Sequence, residues 1–419
     1  MAASTLTPWL ARDRLVRLAD GLAIGVVVSL PWSTSATSIL VGLWLLALLP
    51  TLDGASLRRA LAHPAGGLPV AFCALAVIGT LWADVPWGER LAALRGLHKL
   101  LMIPLLLIQF RRSDKGPLAI GGFLASCTLL LAVSWVITFW PGLAFWHVRW
   151  SGYSWTGVPF KDYLVQSGEF LLCAFMLAHL TFDAWGEGRR GRAVALAALA
   201  LVFLTNMMFV ATGRSTLLAL AALIVVFCLQ RLGWKGGLAI AAGAVVLMSA
   251  SWAASPYLRA RVGGVADEIA SYRTGQGDNS SGYRLEFWRK SAQFIAEAPF
   301  VGHGTGSIPE LFRATAVGES GPAAAVTGNP HNLTLEVGIQ LGLLGVAVLY
   351  AIWGAQLMLF WGRGLPSWIG LGVVVWDIVS AAFLSHMFDF TTGWLFVFAV
   401  GVLGGMVLGE RGGARAATG

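Results

Sequence analysis

The sequence predicts an all-α polytopic membrane protein with about twelve transmembrane helices. Of its 419 residues 57% are hydrophobic and only 12% charged, well below the charge of a soluble domain. Apolar stretches of roughly 17 to 25 residues recur along nearly the whole chain, each long enough to cross about 30 Å of hydrocarbon as a helix. The strict alternation of barrel strands is absent.

The windows fall at residues 18–31, 36–51, 68–82, 90–110, 117–139, 162–182, 193–210, 215–230, 236–254, 331–360, 366–385 and 392–409. The first follows Arg12, Arg14 and Arg17 and lacks a small-residue cleavage site, so it reads as an uncleaved span. Alternate connections carry Arg58 and Arg59; Arg111, Arg112 and Lys115; Arg189, Arg190 and Arg192; Arg231 and Lys235; Arg363; and the tail Arg411 and Arg415. By the positive-inside rule both termini are expected in the cytoplasm. The net charge of +8 is then first a matter of sidedness, with no nucleic-acid partner implied. Cys73, Cys127, Cys173 and Cys228 all lie in apolar runs, which implies neither a disulfide framework nor a CxxC metal site. Three regions follow: residues 1–255 with helices one to nine, a large outer segment at 256–330, and 331–419 with the last three helices and a cytoplasmic tail.

On the outer side, Trp140, Trp146, Trp150, Tyr153 and Trp155 suit an aromatic belt, either as a plain anchor or as a contact surface for lipid or sugar. Within the large segment, GYRLEFWRKSAQFIAEAPF reads as an amphipathic helix. Ser281 is a candidate cap, Glu286 precedes Lys290 by one turn, and Pro299 ends the helix. Its apolar stripe is expected to lie against the membrane surface. VGHGTGS beyond it has no strand or lysine of a phosphate loop and reads as a flexible connector.

Short outer connections should avoid Lys and Arg, yet Arg149, Lys161, Arg214, Arg259, Arg261, Arg273, Arg284, Arg289, Lys290 and Arg313 all fall there. Headgroup phosphates, structural carboxylates or an anionic substrate such as a lipid diphosphate would balance them. Arginine matches phosphate with a planar fork of donors, and the turn Ala211-Thr212-Gly213-Arg214 aims a helix N-terminus outward as well. In TGNPHNLTLEVG, Asn329 suits an N-cap and Pro330 the first helical position, which puts His331 in the first turn at the outer boundary. There both the helix terminus and partial burial keep an imidazole neutral, able to accept a proton from a hydroxyl. Glu169, Glu336, Asp377 and Asp389 lie in or near apolar spans, with Arg95 and Lys99 as prospective partners. No DxD, histidine cluster or HExxH implies a metal.

Thr212-Gly213-Arg214-Ser215, Arg284 with Phe287-Trp288, the run Ala298-Pro299-Phe300-Val301-Gly302-His303-Gly304, and His331-Asn332 with Gly338, Gly342 and Gly345 occur in this order around one large outer segment. The chain in this respect resembles the bacterial O-antigen ligases, within the wider group of O-antigen polymerases and O-linked oligosaccharyltransferases. The resemblance implies a metal-independent glycosyltransferase of the GT-C type without a cofactor. It would move O-antigen polysaccharide from undecaprenyl diphosphate to lipid A–core at the periplasmic face of the bacterial inner membrane. The matching positions are Arg214 and Arg284 as diphosphate binders and His331 as the essential histidine. Lys161 and Arg289 are further cations for the diphosphate, and Asn332, Arg149 and His303 are supporting candidates. An O-antigen polymerase shares this donor chemistry. A polyprenyl-glycan flippase is the alternative of a different class, for which inverted repeats and helices broken at the midplane are expected.

Overall fold

A computed structural model describes residues 12–143, 157–232, 234–273 and 278–418. The Trp-rich stretch around Arg149, with Trp146, Trp150, Tyr153 and Trp155, lies outside the described residues. The chain is all-α, and no strand occurs among the described residues. Its helices are α1 (Arg12–Ser29), α2 (Thr34–Leu48), α3 (Gly54–Ala62), α4 (Pro64–Gly79), α5 (Trp87–Leu94), α6 (Met102–Phe110), α7 (Gly116–Phe139), α8 (Tyr163–Gly186), α9 (Arg190–Phe209), α10 (Arg214–Arg231), α11 (Trp234–Ala254), α12 (Pro256–Arg273), α13 (Ser280–Glu297), α14 (Ile308–Ala316), α15 (Leu333–Phe360), α16 (Leu365–Ala381) and α17 (Phe390–Thr418).

Every predicted window coincides with a helix or a bent helix pair. Among the described residues seven helices are long and apolar enough to cross a membrane, and the bent pairs α3–α4 (86°) and α5 with 97–110 (42°) raise the number to nine. Three windows stand outside that count: α1, which opens on Arg12, Asp13, Arg14 and Arg17; α11, several of whose side chains lie outside the described residues; and α16, which has only 17 residues. The core lies where α6 and α16 meet α17, α4 meets α15, and α8 meets α9. Several buried polar groups are paired within the bundle, although both Glu169 carboxyl oxygens and the Gln356 amide have no hydrogen-bond partner among the described residues. Trp44 Nε1 donates to Gln109 Oε1 at 2.7 Å and Gln109 Nε2 to Asp20 Oδ1 at 2.7 Å. Asp377 accepts from Trp353 Nε1 at 3.0 Å, and Lys99 donates to the main-chain oxygen of Asp389.

The longest span is interrupted. At Gly342 the backbone of α15 takes φ 61°, ψ −161°, a conformation open essentially to glycine alone. The groups freed by the break are met by the glycine-rich segment after α13. The His303 and Gly304 amides donate to Ile339 and Gln340 oxygens at 2.8 and 2.9 Å, and the Leu343 amide donates to the Pro299 oxygen at 2.7 Å. A Cβ on Gly342 would stand 2.4 Å from the Phe300 carbonyl carbon, and one on Gly302 2.5 Å from the Gln340 carbonyl carbon. VGHGTGS is therefore a backbone splice into a membrane helix, not the flexible connector expected from its composition. The break is filled by main chain, as non-helical backbone at membrane depth requires.

The apolar stripe of α13 also differs from expectation. Phe287 and Phe294 are buried against Ile308, Phe312 and Ile339, so the helix turns its stripe into a small core of the outer segment instead of onto the membrane surface. The reason is α14, whose Ile308 and Phe312 supply a facing apolar surface one helical turn apart.

Candidate active site

Three segments far apart in sequence meet along one face of α13. Ser281, Arg284 and Trp288 recur at helical spacing, so they line one side of that helix over about 10 Å. At one end stands Arg214, the first residue of α10. Its guanidinium holds Glu268 of α12 through two bonds of 2.8 and 3.0 Å and reaches Ser281 Oγ at 3.4 Å. Ser281 in turn donates to Glu268, so it bridges helices, while Asn279 caps α13 by accepting from the Gly282 amide at 2.9 Å. At the other end Trp288 Nε1 donates to the Pro330 oxygen at 3.1 Å, next to His331.

His331 is the one residue other than glycine with positive φ among the described residues, at 56°. The expected cap shifts accordingly. Asn332, not Asn329, caps α15: its Oδ1 accepts from the Leu335 amide at 3.1 Å and its Nδ2 donates to the Ala382 oxygen at 3.1 Å. Asn329 holds the turn before it, its Oδ1 accepting from the His331 amide at 2.7 Å and from Ser385 Oγ at 2.9 Å. His331 thus precedes the helix in a left-handed turn instead of sitting in its first turn. Strained conformations of this kind cost about 1–3 kcal/mol and concentrate at functional sites. Burial, with the Arg284 guanidinium near the ring, takes the His331 pKa from its usual value down to about 4. The imidazole is neutral at pH 7, the state that can accept a proton.

The remaining sequence candidates are more dispersed. Arg289 forks onto Glu286 Oε1 and Oε2 at 2.6 and 3.1 Å, and Glu286 also accepts from Tyr272 OH at 2.7 Å. The expected Glu286–Lys290 pair gives way to this one, because Lys290 is buried and donates to the Thr315 and Ala323 main-chain oxygens. Lys161 lies 6.0 Å from the Phe390 ring; burial lowers its pKa, against the charges of Glu169, Asp389 and Asp162. His303 is engaged within its own segment, its Nε2 bonded with the Phe294 oxygen at 2.8 Å. Arg149 lies outside the described residues. Sequence reasoning missed Glu268, whose pKa is held down to about 2 chiefly by Arg214, and Ser385, from the turn between α16 and α17. An acid in an outer segment crowded with arginines was the available sign for Glu268; nothing in the sequence marks Ser385.

Residues 199–350 match the family model described as O-Antigen ligase. The matched stretch is similar to O-antigen ligases. It runs from α9 into α15, so the match contains Arg214, Arg284 and His331 and leaves Lys161 outside. No curated protein matches the chain. The matched stretch sits in a multi-pass helical membrane protein, with the candidate site at one end of the spans where α10 and α15 begin.

Proposed function

We propose that the chain is a glycosyltransferase that moves O-antigen polysaccharide from undecaprenyl diphosphate to lipid A–core at the periplasmic face of the inner membrane. The observation that carries this reading is Arg284 acting by its charge on a neutral, half-buried His331, within a domain matched to O-antigen ligases. The basic residues of alternate connections support a cytoplasmic location for both termini and an outward location for this site.

In this reading the acceptor hydroxyl attacks the anomeric carbon while the bond to the diphosphate breaks, and His331 takes the hydroxyl proton. Arg214 and Arg284 stabilise the negative charge that develops on the leaving phosphate, where a fixed cation acts more strongly in the transition state than in the ground state. One displacement inverts the anomeric centre. The donor is already activated, so no nucleotide is consumed. A ring with a pKa of about 4 is a weak base, but a bound diphosphate would oppose the Arg284 field and make it stronger. Donor binding therefore prepares the base, and His331 gains basicity only when there is a leaving group to expel.

Purified protein reconstituted with polymer-loaded undecaprenyl diphosphate and lipid A–core tests the reading. Polymer joined to the core is the expected product. Lengthening of the donor polymer would instead identify a polymerase, and translocation without transfer a flippase.

A further inference from the structure

A cavity of about 230 Å³ lies between α5, the start of α14 and the outer half of α15, lined among others by Glu89, Glu336, Gln340, Gly306 and Phe388. That is more than seven times the ~30 Å³ share of one water in the liquid, so it is ring-sized. Glu336 is 5% exposed, and its Oε2 has no partner among the described residues. Glu89 Oε2 on the facing element is likewise buried without a partner, although its other oxygen lies 3.5 Å from Arg313. Gln340 adds no free acceptor: its Oε1 takes the Gly306 amide at 2.8 Å and its Nε2 donates to the Glu336 main-chain oxygen at 3.3 Å. The wall therefore presents two carboxyl oxygens without a partner among the described residues. A buried polar atom left without a partner is costly, and a ligand that supplies one removes that cost.

The cavity is tied to the candidate base. Ser385 bonds the Glu336 carboxyl and donates at 2.9 Å to Asn329 Oδ1, which also holds the His331 amide at 2.7 Å. No cation lines it. An anionic diphosphate finds no cation in that lining and belongs with the arginines of α10 and α13, whereas the hydroxyls of a neutral sugar can donate to such oxygens. We propose that this cavity seats the acceptor sugar, with Glu336 and Glu89 accepting from its ring hydroxyls. The assignment rests on the transferase reading above, and it makes the two carboxylates specificity-determining residues on the side of the site away from the phosphate binders.

The test uses the full chain in lipid nanodiscs and two lipid-free probes: core oligosaccharide released from rough lipopolysaccharide, and O-polysaccharide released from its carrier. Saturation-transfer NMR should show the core oligosaccharide binding to the wild type, with the signal reduced at least fivefold by Glu336→Gln and by Glu89→Gln. Both variants should elute from size exclusion as the wild type does. In transfer assays each should raise the acceptor KM about tenfold and leave the donor KM in place. Loss of O-polysaccharide binding in place of core binding would move the cavity to the donor glycan and overturn the acceptor assignment. Undiminished core binding in both variants overturns it outright. Wild-type protein that binds the core oligosaccharide but transfers nothing would sink the transferase reading itself, which separates the two failures.

Discussion

Acidification from pH 7 to pH 5 should leave donor capture by the wild type nearly unchanged. At pH 5 a ring with a pKa of about 4 is about 90% neutral, whereas one at the ordinary 6.5 is about 3% neutral. The two cases differ by about thirtyfold in the active form. The His331 pKa is depressed, so activity is retained well below the usual histidine range and lost only as pH falls through about 4. Glu268 at about 2 does not titrate in this window, and a diphosphate diester has no proton to gain there. The assay is kcat/KM for the donor across pH 4 to 8 in reconstituted membranes, because this parameter reports the free enzyme while kcat reports the loaded one. The acid limb in kcat should lie at higher pH than the limb in kcat/KM, since bound diphosphate counters Arg284. Arg284→Gln should raise the limb in kcat/KM, and Arg284→Lys should leave it in place. A thirtyfold loss of wild-type kcat/KM by pH 5 would refute the neutral-ring argument.

Glu268→Gln removes the carboxylate that, in the proposed reading, the donor displaces from Arg214. A partly exposed pair of this kind is worth about 1 kcal/mol, so the donor KM should fall roughly fivefold; a rise would mean that Glu268 aims Arg214 at the donor instead of competing for it. Gly342→Ala should destabilise the protein by about 3 kcal/mol or more, read as a lower thermal midpoint in detergent, and an unchanged midpoint would contradict the strained splice. His303→Ala should lose about 1 kcal/mol of stability with the bond to Phe294 and keep the wild-type pH profile. If that variant folds yet transfers nothing, His303 belongs to the chemistry.

The helices were legible because their signal is local: apolar length for the spans and 3.6-residue periodicity for α13. The meeting of Arg214, Arg284 and His331 was not, since it depends on where α13 docks, and that is decided by Ile308 and Phe312 beyond its end. The cap was ambiguous for a different reason. Asn329 and Asn332 both have the right side chain, and Pro330 suits the first turn. What decided between them is reach: Asn332 Oδ1 meets the Leu335 amide, while Asn329 Oδ1 is already engaged by His331 and Ser385.

The glycine motifs illustrate how two correct local readings can miss a joint one. Gly338, Gly342 and Gly345 suggested close helix packing, and Gly302, Gly304 and Gly306 suggested freedom. All three of the latter have positive φ and hold a single path, with the Thr305 amide donating to the Gly79 oxygen at 3.0 Å and Thr305 Oγ1 to the Ala76 oxygen at 2.7 Å. Each set completes the other's backbone hydrogen bonds, which no pattern confined to one segment can reveal. The consequence reaches the site. Because the break at Gly342 exchanges amides and carbonyls with the chain leaving α13, the outer part of α15, about 13 Å long, and the start of its inner half are both tied to that chain. Trp288 adds a second tie at the His331 end. Arg284 and His331 therefore belong to one braced unit, and the electrostatic relation between cation and imidazole is set before any substrate arrives. Preorganisation of that kind is what lets fixed charges stabilise a transition state without rearranging during the reaction.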